Sequence, residues 1–74
     1  MTNEEWLKEA SDSIQEALWK LESVQECLYA ARKALDCAGK RPAAVLINLP
    51  VDDIFALRHR LEEMKKGLEE PSGI

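Results

Sequence analysis

The sequence predicts an all-α fold, a helical hairpin that oligomerises into a helical bundle. Apolar residues recur at spacings of three and four through the first forty positions with no Gly or Pro between them, and a shorter segment after Pro50 repeats that spacing. A heptad repeat of this length indicates a helix that packs along its side against another helix, as in a coiled coil. The first heptad stripe comprises Leu7, Ala10, Ile14, Ala17, Leu21, Val24, Leu28, Ala31, Leu35 and Ala38.

The first helix is predicted over about residues 3–38. Thr2 and Glu5 have the spacing of a capping box, which places the helix start near Asn3. Gly39 can adopt the left-handed conformation that follows a helix, and Pro42 comes soon after it. Small residues occupy nearly every second position of the stripe, so two backbones can approach closely. This alternation favours tight, antiparallel helix pairing.

Residues 39–49 are expected to form an apolar connector that covers the open end of the helices. Its run PAAVLINL fits either a short helical turn or an extended segment, because periodicity cannot decide for so few residues. Pro50 suits the first position of a second, shorter antiparallel helix over about residues 50–68. Residues 69–74 are expected to be a frayed tail, and with 74 residues the chain forms one helical domain.

The unequal helix lengths predict association. A helix of about 18 residues spans roughly 27 Å, so it would cover the first helix only back to Leu18–Leu21. The apolar residues beyond that point would remain in water, which is typical of an interface. The expected oligomer interface is Trp6, Leu7, Ala10, Ile14, Ala17, Leu18 and Leu21, and a homodimer forming a four-helix arrangement is the simplest assembly.

Two aromatic residues lie off the stripe. Trp19 falls on the opposite side of the first helix, and Tyr29 also lies outside the stripe. Trp19 is predicted either to cap a neighbouring helix of the same oligomer or to be exposed without a role. The alternative is that Trp19 and Tyr29 bind a different protein, since Trp and Tyr are enriched at binding hot spots.

Charge is unevenly distributed along the chain. Residues 1–30 hold seven acidic and two basic side chains, whereas residues 31–66 hold eight basic and five acidic ones. The basic residues near the loop form a candidate site for a small anionic ligand, with a solvated helix surface as the simpler interpretation. The candidate residues are Arg32, Lys33, Lys40, Arg41, Arg58, His59 and Arg60.

Composition excludes several classes of function. A net charge of −4 is unsuited to general nucleic-acid binding, and the longest apolar run, residues 43–47, is too short to cross a membrane. Neither Cys27 nor Cys37 belongs to a nucleophile or metal-binding motif. No catalytic residue, metal or cofactor is predicted. The absence of a signal-peptide pattern and two thiols without a disulfide framework indicate a cytoplasmic protein.

These observations favour a non-enzymatic interaction module: an adaptor, a chaperone-like binder or an inhibitor that acts as a homo-oligomer, with a dimer expected. One alternative is an oligomer that binds a small anionic or nucleotide-like ligand through the basic residues. Another is a structural subunit of a larger helical complex, in which the stripe packs against a helix of another protein. Fold alone does not choose among these functions.

Overall fold

The computed structural model describes residues 2–69 and shows three helices in those residues: α1 (Asn3–Cys37), α2 (Arg41–Leu46) and α3 (Asn48–Glu69). Helix α3 runs antiparallel to α1, and the short α2 continues into α3 through Ile47, which keeps a right-handed helical backbone. The all-α hairpin is thereby confirmed. The predicted tail begins inside α3 at Glu69, and residues 70–74 lie outside the described residues.

Local capping chemistry fixes the two ends of α1. The Thr2 hydroxyl accepts a hydrogen bond from the Glu5 amide at 3.2 Å, and the Glu5 carboxylate accepts one from the Thr2 amide at 3.3 Å. At the other end Gly39 has a φ of 77°, and the Lys40 amide donates to the Leu35 carbonyl at 2.8 Å. The predicted capping box and glycine terminator are both confirmed.

Replacing Gly39 with alanine tests this terminator. A side chain at this φ strains the backbone, although no neighbouring atom lies within 4 Å of the added carbon. We expect Gly39→Ala to lower the free energy of unfolding by about 1–2 kcal/mol, measured by urea denaturation. The helical Gly67, which also has open space around it, provides the control: Gly67→Ala is expected to leave stability unchanged or raise it. Equal losses in both variants would contradict the terminator.

Residues 39–49 take the helical one of the two conformations that the sequence left open. Pro42 lies in the first turn of α2, where a helix has no internal partner for its amide, so proline costs no hydrogen bond there. Pro50 is tolerated for the same reason as the third residue of α3. The segment also fails to cover the helix end, because Val45, Leu46 and Leu49 are exposed and only Ala44 is buried.

The early start of α3 changes how the helices overlap. Asn48 accepts a hydrogen bond from the Arg32 guanidinium at 2.7 Å, so α3 begins level with Arg32. Its 22 residues then extend far enough for Leu68 to line a groove together with Leu7 and Ser11. The predicted overhang of α1 is therefore too long: α3 reaches back to Leu7 and Ser11 instead of Leu18–Leu21, although Trp6 and Leu7 stay exposed.

The hairpin is one layer of helices. Its principal extents are 55 × 20 × 11 Å, and a helix with its side chains is about 10–12 Å across. Leu18, Ala44 and Val51 are the buried apolar residues of the described chain. Most domains bury their apolar residues between two layers. What this fold can do therefore depends on whether the heptad stripe lies between α1 and α3 or on an outer side of the hairpin.

Candidate functional site

Buried residues show which side of each helix faces the other. Leu18 and Gln25 are buried on α1, and Val51 is buried on α3. The Arg58 guanidinium donates a hydrogen bond to the Gln25 side chain and lies 3.8 Å from a Glu22 carboxylate oxygen. These residues define the line along which α1 and α3 meet.

The heptad stripe does not follow that line. At about 100° per residue, the stripe of α1 is centred roughly 70–80° to one side of the direction marked by Leu18 and Gln25. The apolar positions of α3 are displaced from Val51 and Arg58 by a similar angle. The hairpin therefore buries one edge of each stripe and leaves the remainder uncovered.

Both uncovered stripes lie on the same side of the hairpin. A groove on the opposite side is lined by Trp19 and Glu22 from α1 and by Glu62 and Lys66 from α3. Those residues lie on one side of the contact line of their helices, and the stripes lie on the other. We call the joint surface the open face; it comprises Trp6, Ala10, Ile14, Ala17, Leu21, Val24, Leu28, Ala31 and Leu35 of α1 with Ile54, Leu57, Leu61 and Met64 of α3.

The open face is apolar and accessible. Val24 and Leu57 are each 44% exposed, and Met64 is 57% exposed. The leucines between them are half-buried by the neighbouring helix. Contiguous exposed apolar surface of this kind marks an interaction site more reliably than scattered exposed residues do.

The predicted interface residues separate into three groups. Leu18 was expected at an oligomer interface, but it is 7% exposed and packs inside the hairpin, so this assignment is wrong. Leu7 lies beside Leu68 at the free end of the hairpin. The other five predicted interface residues belong to the open face: Trp6, Ala10, Ile14, Ala17 and Leu21.

The two off-stripe aromatic residues lie away from the open face. Trp19 is exposed in the groove that also contains Lys66, and Tyr29 lines a second groove near the loop. An association through the open face would leave both side chains accessible. Their role in binding another protein stays a prediction.

The predicted basic cluster is divided by the fold. Arg32, Lys33 and Arg41 line one open groove of about 660 Å³ together with Tyr29. Arg58 lies farther along the hairpin, held by Gln25 and Glu22. The grouping of Arg58 with the loop-end residues is therefore wrong. Lys40, His59 and Arg60 are exposed and do not line this groove.

The loop-end groove is partly neutralised by its own contacts. The Arg32 guanidinium lies 5.2 Å from the centre of the Tyr29 ring and also donates to Asn48. Arg41 forms an ion pair of 3.4 Å with Asp36, which lines the same groove. An anion entering this groove would compete with the Asp36 carboxylate for Arg41.

Sequence reasoning missed Gln25. This glutamine is 4% exposed and receives the Arg58 hydrogen bond, whereas Gln25 Nε2 and Arg58 Nε are buried atoms with no hydrogen-bond partner among the described residues. The available signal was positional: Gln25 lies one heptad after Leu18, on the edge of the apolar stripe. A buried polar pair of this kind fixes which residues of two helices lie level with each other.

A double-mutant cycle tests the Gln25–Arg58 pair. Gln25→Leu or Arg58→Met alone leaves the other polar group buried, so each is expected to lower the free energy of unfolding by about 1–3 kcal/mol. The double variant removes both groups and should fall within about 1 kcal/mol of the unmodified protein. Urea denaturation of the four proteins measures the coupling, and additive losses would contradict it.

The described residues contain no group of three or more His, Cys, Asp or Glu side chains placed to hold a metal ion. Within residues 2–69, none of the helices combines the length and apolar character that crossing a bilayer requires. Comparisons with protein-family models, with curated proteins and with solved structures found no match for this chain.

Proposed function

We propose that this chain is a non-enzymatic interaction module that works as a homo-oligomer through its open face. The single observation that supports this function is the position of the heptad stripe. The longest apolar pattern of the sequence lies beside the intramolecular contact line and stays accessible in a hairpin one helix thick. Association through this face would supply the second layer that the hairpin lacks.

The two tryptophans provide a direct test, because they lie on opposite sides of the hairpin. Trp6 shares its angular position on α1 with Val24, five helical turns away, and Trp19 lies in the groove on the other side. A Trp19→Phe protein keeps only Trp6, and a Trp6→Phe protein keeps only Trp19. Both residues are exposed in the single hairpin, at 59% and 63%.

We expect acrylamide quenching of Trp6 to weaken as protein concentration rises, since association covers the open face. Quenching of Trp19 should stay constant over the same concentrations. If neither tryptophan responds, the chain does not associate through the open face. If Trp19 alone becomes protected, the opposite surface is the interface and the proposal is wrong.

A second candidate function is binding of a small phosphate-bearing ligand at the loop-end groove. It is favoured by the convergence of Arg32, Lys33 and Arg41 beside Tyr29. Inorganic phosphate and a panel of nucleotides, including cyclic ones, are the probes for a thermal-shift measurement. Binding at this groove predicts a rise in melting temperature that Lys33→Ala abolishes and Lys20→Ala, at an exposed site far from the loop, does not.

A further inference from the structure

We infer that the open face is covered by the same face of a second copy, running antiparallel, about a two-fold axis that passes between Leu21 and Val24 of α1. This inference rests on the proposed function and adds to it the partner, the direction and the register. The resulting four-helix bundle would have its two loops at opposite ends.

The accessible surface of the chain leaves room for such a partner. A standard protein interface removes about 800 Å² from each partner, and the open face runs along most of the 35 residues of α1 and much of the 22 residues of α3. A second hairpin laid on the open face is therefore of a suitable size.

The order of large and small residues in α1 specifies direction. When two copies run antiparallel, residues whose numbers add to 45 lie opposite each other, and every large residue of the stripe then meets a smaller one. The pairs on the open face are Ala10–Leu35, Ile14–Ala31, Ala17–Leu28 and Leu21–Val24. Two α1 helices packed parallel in register would instead place leucine on leucine and alanine on alanine, so that overfilled layers would alternate with empty ones.

The spacing of the apolar residues on α3 is compatible with the same axis. Ile54, Leu57, Leu61 and Met64 are placed symmetrically about residue 59, so Ile54 would meet Met64 and Leu57 would meet Leu61, without the large-to-small order of α1. The neighbouring Arg58 is bonded to Glu22 and Gln25 of α1. Residue 59 is consequently level with the midpoint between Leu21 and Val24, so one two-fold axis satisfies both helices of the hairpin.

Charge also favours the antiparallel direction. The free end of the hairpin, residues 2–17 and 63–68, holds six acidic and three basic side chains. The loop end, residues 29–53, holds four basic and three acidic ones. Antiparallel pairing brings each acidic end against a basic end, whereas parallel pairing would bring the two acidic ends together.

Spin-label distances test both register and direction. Cys27 and Cys37 are free and exposed, so a protein with Cys27→Ala and Cys37→Ala accepts single labels through Ser23→Cys or Lys8→Cys. Both label sites are exposed and lie off the open face. Pulsed electron–electron double resonance then measures the distance between the spin labels of the two copies.

The proposed register predicts a short distance at residue 23, below about 30 Å, and a long one at residue 8. The Lys8→Cys positions are separated by about 43 Å along the bundle axis, at 1.5 Å per residue. Similar short distances at both positions would show a parallel dimer and overturn the inference while leaving the proposed function intact. A shift of one heptad would change the axial separation at residue 8 by about 10 Å in one direction or the other, which overturns the register. No dipolar signal would overturn the inference together with self-association.

Discussion

Ala17→Glu is expected to weaken dimerisation at least about 100-fold, which corresponds to roughly 2.8 kcal/mol. Ala17 is half-buried on the open face, and in the proposed register it meets Leu28 of the second copy. Because the dimer is two-fold symmetric, the substituted carboxylate occurs at two equivalent positions of the interface. Each buried charge without a partner costs several kcal/mol. Sedimentation equilibrium measures the dissociation constant.

Ser23→Glu is the matched control for this prediction. It adds the same charge to the same helix at an exposed position on the back of α1, so dimer affinity should change little. Ala17→Glu should also retain the helical circular dichroism of the unmodified protein at high concentration, because Ala17 lies beside the intramolecular contact line. Equal dissociation constants for the two variants would contradict an interface on the open face.

The second large effect is expected from Leu18→Ala, which removes the most buried leucine of the hairpin. Leu18 is 7% exposed, and truncating a buried leucine lowers the free energy of unfolding by about 2–5 kcal/mol. A single core in a chain of this size supplies only about 3–5 kcal/mol. Most of the stability of the isolated hairpin should therefore be lost, with a large fall in the thermal midpoint followed by circular dichroism.

Leu46→Ala provides the comparison for Leu18→Ala. Leu46 is 62% exposed in α2, so its truncation opens no cavity and should cost well under 1 kcal/mol. A smaller effect of Leu18→Ala than of Leu46→Ala would show that the contact line between α1 and α3 is assigned to the wrong residues.

The sequence predicted those features of the fold that depend on local chemistry. The start of α1 follows from the reciprocal hydrogen bonds of Thr2 and Glu5, and its end follows from Gly39. The apolar period was sufficient for an all-α hairpin. The segment around Pro42 and Pro50 was predicted less well, because a proline in the first turn of a helix resembles a proline that ends one.

The candidate site was predicted only in part. Periodicity gives the angular position of Leu21 or Val24 on the helix, but not the angle at which α3 approaches. That angle depends on Leu18, Gln25 and Arg58, whose contacts cross the hairpin. The expected overhang proved too long because α3 starts at Asn48, and most of the uncovered surface lies along the side of α1.

The basic residues show the same limit. Arg32 and Arg41 lie on either side of the loop and line one groove, whereas Arg58, on α3, is separated from them along the hairpin axis. The number of residues between two positions does not show whether they lie at the same height along a pair of antiparallel helices. Here that height was set by the early start of α3 at Asn48.

The molar mass in solution tests the central claim most directly. Light scattering coupled to size-exclusion chromatography, over a wide range of loading concentrations, should give about 17 kDa, twice the chain mass of 8.4 kDa. Dilution should bring the mass towards that of one chain by mass action. A mass of 8.4 kDa at every concentration would contradict closure of the open face by a second copy.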